Sequence, residues 1–258
     1  MARTIVVTGS ASGIGAAAAK ILTRSGHRVI GIDQHRAEIV ADLSTRAGRD
    51  AAISAVGDLT DGAVDAVVAC AGTSSLSPLD IKVNFFGVVD LLDGLRPFLA
   101  KSTAPRVAVV SSTTAIHTGD TDVVAACSHR DEVRAVALAE KATADGRGSH
   151  LYFTSKRALT QWVRQSAVTD LWAGAGIALN AVGPGLVITP MTAARRASEE
   201  GRRIAEQAVP SKLGNWIQPE VIADCLIWLV RPENTNITGQ MLFVDGGAEA
   251  VTRGPEVF

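Results

Sequence analysis

The 258-residue sequence predicts an α/β protein built on one doubly wound, mostly parallel sheet with helices on both faces. Three observations predict it. Short β-branched runs alternate with longer helical stretches along the chain. The runs carry little polar alternation, as strands covered on both faces do. A glycine-rich turn joins the first run directly to an Ala-rich helix.

Strands are expected at Thr4–Thr8, Arg28–Asp33, Glu38–Asp42, Val64–Cys70, Arg106–Ser111, Ile177–Val182 and Gln240–Val244. Helices are expected at Gly13–Arg24, Ser44–Val56, Asp80–Leu99, Tyr152–Trp172 and Pro219–Val230. Only Gln34–Ala37 separates the second strand from the third, too few residues for a helical crossover. The usual helix is therefore expected to be deleted there, leaving the third strand a short stub. With no repeat, linker or break in composition, residues 1–258 read as a single domain.

A formal net charge of −1 leaves no electrostatic footprint for nucleic acid or an anionic membrane. No apolar run reaches the ~18 residues that a membrane span requires, and Gly9 interrupts the first apolar stretch too early for a secretory signal. Cys70, Cys127 and Cys225 are odd in number and widely spaced, which suits reduced thiols in a cytoplasmic protein better than disulfides or a zinc site. The five histidines form no ligand cluster, so no metal is expected.

Thr8-Gly9-Ser10-Ala11-Ser12-Gly13-Ile14-Gly15 follows the first strand and opens the first helix. Absent side chains let Gly9, Gly13 and Gly15 make a tight turn whose backbone N–H groups, with those of Ser10, Ser12 and Ile14, can approach a pyrophosphate at a helix N-terminus. This strand–turn–helix marks a Rossmann-type, dinucleotide-binding fold. Asp33 ends the second strand about 20 residues on, where a carboxylate can accept from the ribose hydroxyls and repel a 2′-phosphate, favouring NAD. Arg36 lies close enough to reach such a phosphate. Asp42 and Leu43 are placed to meet the adenine, and Ala71 and Gly72 leave room for the adenosine. Cys70 reads as a buried apolar thiol.

Tyr152 is the chain's single tyrosine, and Lys156 follows one helical turn later on the same face. A phenol with a pKa of about 10 is a poor base at neutral pH, and a neighbouring ammonium favours its ionised form. A packed tyrosine beside a solvated lysine has the same spacing.

The glycine turn, Val83-Asn84-Phe85-Phe86-Gly87, Ser111-Ser112, Tyr152-xxx-Lys156, Pro184-Gly185 and Asp245-Gly246-Gly247 together resemble the short-chain dehydrogenases/reductases in order and context, over nearly the whole chain. The resemblance implies catalytic roles for Asn84, Ser112, Tyr152 and Lys156. Ser112, with the small Ala115 close behind, holds the substrate oxygen; Ser111 is the lesser candidate. Tyr152 exchanges the proton, Lys156 binds the nicotinamide ribose and depresses the tyrosine pKa, and Asn84 holds a relay water while also suiting a helix kink. Val187 offers backbone groups to the carboxamide, and Thr189 a hydroxyl to the carboxamide or pyrophosphate.

Gly31-Ile32-Asp33, the run Glu38–Ser44 and the tail Val244–Val251 are similar, more narrowly, to the bacterial 3α-hydroxysteroid dehydrogenase/carbonyl reductase group. The missing crossover and the long gap from Ser112 to Tyr152 fit that group; most members of the wider family separate these residues by about a dozen positions. The extra segment, about 116–148, contains Ser128-His129-Arg130-Asp131, a capping box expected to open a helix through about Ala144. In many relatives the helices flanking it form a subunit interface. The homo-oligomer, dimer or tetramer, is therefore expected not to pair through Asp80–Leu99 and Tyr152–Trp172; a surface decoration without a role in assembly is the alternative.

Substrate contacts are expected from Ile116–Val123 and Met191–Val209. Met191 and Trp216 are either pocket lining or ordinary packing, and His117 and His150 read as solvated loop residues. The function so implied is hydride transfer between NAD(H) and a small-molecule secondary alcohol or ketone, with 3-hydroxysteroids among the candidates. Non-steroid alcohols and cyclic diols are the alternative substrates, and a catalytically silent NAD(H)-sensing regulator is the alternative from another class.

Overall fold

The computed structural model describes residues 2–214 and 216–257. Seven parallel strands form one sheet in the order β3-β2-β1-β4-β5-β6-β7. They are β1 (Thr4–Thr8), β2 (Arg28–Asp33), β3 (Ile39–Val40), β4 (Ala66–Ala69), β5 (Arg106–Val110), β6 (Ala178–Pro184) and β7 (Met241–Val244). The sequence order reverses between β1 and β4, which opens a crevice at their C-terminal ends, where doubly wound sheets bind ligands.

Alternation along each strand feeds two apolar cores. Val6, Ile30, Ile32, Val67, Val107 and Leu179 face one helical layer. Ile5, Val7, Val68, Ala108 and Val182 face the other, made by α1 (Gly13–Arg24) and α10 (Pro219–Leu229). The first layer holds α2 (Arg46–Thr60), α3 (Leu79–Ile81), a π-helical segment (Lys82–Phe86), α4 (Gly87–Leu99), α5 (Thr121–Ser128), α6 (Glu132–Ala144) and α7 (Leu151–Ser166). Three short helices, α8 (Ala193–Arg196), α9 (Glu199–Ala208) and α11 (Ala248–Arg253), complete the chain.

The second crossover is indeed missing. β3 shrinks to two residues, paired in parallel through Ile32↔Ile39 and Asp33↔Val40. α2 starts later than the sequence suggests because Thr45 caps it, its Oγ1 accepting from Gly48 N at 3.0 Å. The expected single helix over Asp80–Leu99 is interrupted by the π turn.

The segment before Tyr152 holds two helices rather than one. Ser128 does not cap α6; it ends α5, and Asp131 takes the cap, accepting from Arg134 N at 3.0 Å. Of the two residues offered by the capping-box pattern, the one next to the helix wins. α5 packs on α7, and α6 on α3 and the π segment. The insert is also tied down by charge. Arg49, fully buried on α2, lies 3.1 Å from Asp90 on α4 and reaches Glu132 on α6, while Arg130 pairs with Asp90 and, at 2.9 Å, with Asp93. Among the described residues, no helix is long and apolar enough to cross a membrane.

Candidate active site

Two cavities meet at one side chain. The first, about 350 Å³, is the crevice above β1, β2 and β4. Its far end is lined by Asp33, Ala41 and Leu43, its middle by the glycine turn, and its near end by Tyr152, Lys156, Val187 and Thr189. The second, about 710 Å³, lies between the loop after β5 and helices α8 and α9. Among the described residues Tyr152 alone lines both.

The glycine turn is shaped by backbone geometry. Gly9 and Gly13 have φ of +66° and +53°, in the left-handed region. A Cβ on Gly15 would lie 2.2 Å from Gly9 O, so only glycine lets α1 start this close to β1. The Ser12 side chain makes no capping bond, which leaves the first N–H groups of α1 facing the crevice. Asp33 accepts from Ala11 N at 3.0 Å and from His35 N at 3.2 Å, so it braces the turn from the crevice rim. Thr8 Oγ1 accepts from Ala71 N at 2.9 Å, and Gly9 abuts Ala71, holding the end of β4 against the turn.

Of the residues expected to meet the dinucleotide, Gly9, Ser12, Gly13, Ile14, Gly15, Asp33, Leu43, Ala71, Gly72, Val187 and Thr189 line this crevice. Ser10 and Asp42 do not: Ser10 packs against Gly31, and Asp42 accepts from Ser44 N at 2.9 Å and Gln34 Nε2 at 3.2 Å. The bonds to Ser44 hold the Asp42 carboxyl below its ordinary pKa. Val187 O accepts from Thr192 Oγ1 at 2.6 Å, and the Thr189 side chain packs against Gly13.

At the near end Ser112 is buried, and its Oγ accepts from Thr114 N at 3.1 Å and Thr114 Oγ1 at 2.9 Å. Two incoming donors fill its lone pairs and leave its own O–H free to donate. That hydroxyl faces the Tyr152 phenol. Ser111 turns the other way, bonding Thr160 Oγ1 at 2.7 Å and Lys156 O at 3.2 Å. Lys156 Nζ donates to Val110 O at 2.9 Å and stands 6.0 Å from the Tyr152 ring centroid.

Burial governs the charge states. It lowers the Lys156 pKa to about 8, against an upward pull from Cys70 and Asp80. It raises the Tyr152 phenol above its ordinary value, outweighing the downward pulls of Ser112 and Arg195. The protein groups alone therefore keep the phenol protonated, desolvation being the largest influence. Cys70 lines the crevice with a thiol pushed up to about 12 by burial, which makes it inert.

Asn84 sits at the centre of the π segment, fully buried. Its side chain clamps Thr73, accepting from Thr73 N at 2.8 Å and donating to Thr73 O at 2.9 Å, and donates to Ser155 Oγ at 3.0 Å. Both amide hydrogens are thus engaged. A relay water on Asn84 would use the remaining Oδ1 lone pair or the main-chain carbonyl. Gly72 closes the gap, since a Cβ there would meet Asn84 Oδ1 at 3.1 Å and Lys156 Nζ at 3.5 Å.

Some parts of the site carry no sequence signal. Asp80, fully buried, accepts from Ser75 N at 2.7 Å, Ser75 Oγ at 2.9 Å and Leu76 N at 3.1 Å, and burial raises its pKa. It fixes the loop that carries Leu76, at φ +57°, to the second cavity. His117 and His150 are exposed, as expected, and their rings also meet Phe153, edge-on at 5.5 Å and tilted at 5.1 Å, in that cavity's wall. Met191 lines the crevice, while Trp216 is packing, its Nε1 donating to Glu206 at 2.8 Å. Both Ile116–Val123 and Met191–Val209 contribute to the second cavity. Among the described residues, no cluster of three or more His, Cys, Asp or Glu side chains is placed to hold a metal ion.

A family profile described as enoyl-(acyl carrier protein) reductase matches residues 9–249. The chain is 36% identical to the 3-alpha-hydroxysteroid dehydrogenase/carbonyl reductase of Comamonas testosteroni, covering 96% of this chain and 97% of that one. It is 30% identical to the cis-4-hydroxycyclohexanecarboxylate dehydrogenase of Sinomonas cyclohexanicum, again over 96% and 97%. The crystal structure of the 3-alpha-hydroxysteroid dehydrogenase from Pseudomonas sp. B-0831 complexed with NADH superposes with a TM-score of 0.90 at 41% identity, covering 98% of this chain and 99% of that one. Likeness of this extent, over a parallel sheet with its crevice at the switch point, makes the chain an oxidoreductase of the short-chain dehydrogenase/reductase family.

Proposed function

We propose that the protein is an NAD(H)-dependent secondary alcohol dehydrogenase and carbonyl reductase, with hydroxysteroids and other alicyclic alcohols as its substrate class. The observation that carries this is the placement of Tyr152, backed by Ser112 and Lys156, at the junction of a dinucleotide-shaped crevice and a mostly apolar cavity. The residues fit the cofactor: a glycine cradle that side chains would fill, an uncapped helix start, and a carboxylate at the rim. When bound, the nicotinamide supplies or accepts the hydride.

The chain's own groups manage the oxygen and its proton. Ser112 donates to the substrate oxygen, stabilising the negative charge that develops there during reduction. The Tyr152 phenol gives that oxygen its proton in reduction and takes it back in oxidation. Lys156 holds the ribose hydroxyls near the phenol, and Asn84 fixes the floor through Thr73 and supports the relay water. Apolar walls exclude bulk water from the reacting carbon.

Asp33 selects NAD over NADP. Asp33→Ala is expected to weaken NADH binding more than NADPH binding, measured by titrating each cofactor against intrinsic fluorescence; equal losses would remove this role. A second substrate reading has support of its own: likeness to a relative named for a hydroxycyclohexanecarboxylate favours small cyclic alcohols over full steroids. A screen following NADH absorbance over hydroxysteroids, quinones, aromatic ketones and cyclic diols separates the two. NADH binding without turnover of any ketone would point to the sensing regulator instead.

Assembly follows from the insert. With α5 on α7 and Arg130 on α4, a homo-oligomer is expected to pair through a face other than α4–α7. Solution cross-linking checks this, and a symmetric dimer joined across α4 and α7 would overturn it.

A further inference from the structure

A short 3₁₀ turn, Thr113–Ile116, carries the chain onward from β5 directly after Ser112. Ser112 lines the crevice and Thr114 the second cavity, but Thr113 between them lines neither. Its buried side chain turns inward, and its Oγ1 donates to Asp245 Oδ2 at 3.0 Å. Gly183 O, at 3.4 Å, is the longer and uncharged alternative for the same proton. Asp245 is itself buried, and it too lines neither cavity.

Asp245 is a fixed post. It follows β7 and reaches across the end of β6, the strand that lies between β5 and β7. Its Oδ1 accepts from Gly247 N at 2.9 Å and its Oδ2 from Glu249 N at 2.8 Å, which holds the start of α11. A Cβ on Gly185 would lie 3.0 Å from Asp245 Cα, so glycine after β6 lets the two strand ends close together. The next carbonyl, Gly246 O, accepts from Lys212 N at 2.7 Å and Leu213 N at 3.1 Å. A buried carboxylate is costly unless its oxygens are hydrogen-bonded, and a bond to a charged acceptor is a strong one. Two N–H groups suffice to hold α11; the third donor, Thr113, ties this post to the turn beside the catalytic serine. Ser112 Oγ takes both of its incoming bonds, from Thr114 N and Thr114 Oγ1, within that turn. Any shift of the turn therefore moves the serine and its partners together, and redirects the one O–H left for substrate.

We propose that Asp245 is a positioning residue for the reaction: through its bond to Thr113 it sets where the Ser112 hydroxyl stands relative to the Tyr152 phenol, while lining neither cavity itself. The proposal rests on the dehydrogenase reading and adds to it a residue from beyond the last strand.

Thr113→Val tests the tie, since it removes the hydroxyl, keeps the branched shape and leaves Asp245 its two N–H donors. In the NADH-coupled assay it is expected to lower kcat about 10- to 100-fold, as small misplacements of a reacting group do. The ketone KM and the NADH dissociation constant should stay within about twofold, because the serine acts on charge that develops in the transition state. Thr113→Ser, which restores the hydroxyl, should recover most of the rate. The decisive comparison repeats Thr113→Val in a Ser112→Ala background, where it should cost less than about twofold. General loosening of the fold acts whether or not the serine is present, so an equal loss in both backgrounds overturns the proposal. No loss in the wild-type background overturns it as well. Hydrogen exchange followed by mass spectrometry supplies an arm that needs no turnover: residues 112–117 should exchange faster in Thr113→Val than in the wild type. Unchanged exchange there overturns the tie and leaves the dehydrogenase reading standing. Wild-type protein that binds NADH but turns over no ketone, with exchange that quickens in Thr113→Val, removes the dehydrogenase reading and keeps the tie.

Discussion

Tyr152→Phe is expected to lose at least ~10²-fold in turnover while binding NADH almost as the wild type does. The substitution keeps the ring in the wall shared by the two cavities and removes only the oxygen that faces Ser112. No other phenol is available to replace it, since the chain has a single tyrosine. Single-turnover kinetics with NADH fluorescence separates the two effects, and unchanged turnover would sink the assignment of the proton donor. The direction of the pH dependence follows from burial. A phenol held above its ordinary pKa stays protonated at neutral pH, ready to act as an acid, so reduction is favoured there. Oxidation needs the phenolate and should climb as pH rises. Lys156, lowered to about 8, sheds its charge within the same alkaline range, so the reduction rate should fall above about pH 8.

Gly15→Ala is expected to raise the NADH dissociation constant at least ~10-fold and to destabilise the fold by about 1–3 kcal/mol, the usual range for overpacking. The new methyl would lie 2.2 Å from Gly9 O, 2.6 Å from Gly9 C and 2.9 Å from Thr8 O. All three are backbone atoms, so no side chain can swing aside; the turn itself must open, and with it the cradle of N–H groups. Gly26→Ala is the control. Gly26 also has a positive φ, of +82°, yet a Cβ there would meet nothing within 4 Å. It should cost some stability through strain and leave NADH binding intact. Thermal melts and cofactor titrations on both variants check the pair, and equal NADH affinity in wild type and Gly15→Ala would remove the cradle from the argument.

The parts of the site that were legible in the sequence are those with a local chemical reason. Gly9, Gly13 and Gly15 answer to backbone constraints within a single turn. Asp33 is placed by the length of β2, and the spacing of Tyr152 and Lys156 by the pitch of one helix. The preference for Ser112 over Ser111 comes from the family resemblance, and the partners that part the two serines, Thr114 and Thr160, appear only in the folded chain. What the sequence concealed depends on tertiary packing. The π turn around Asn84 is a one-residue shift in hydrogen bonding that no residue type announces. Asp80 looks like an ordinary first-turn acid, and its burial against Ser75 and Leu76 appears only when that loop folds over it. The turn in which Asp42 Oδ1 accepts from Ser44 N and Gln34 Nε2 likewise appears only in the folded chain. His117 reaches Phe153 only because the loop after β5 folds onto α7.

The contact of α5 and α6 with the helices beneath them also bears on concentration. A surface covered by a separate subunit is exposed again on dilution, because that association is second order. Here the covering helices belong to the same chain, fastened through Arg49 and Arg130. Their docking is an intramolecular event whose equilibrium is set by the length of the connecting chain and not by the amount of protein in solution. The floor under Asn84 and Tyr152 therefore stays covered at nanomolar enzyme, whatever the assembly does elsewhere.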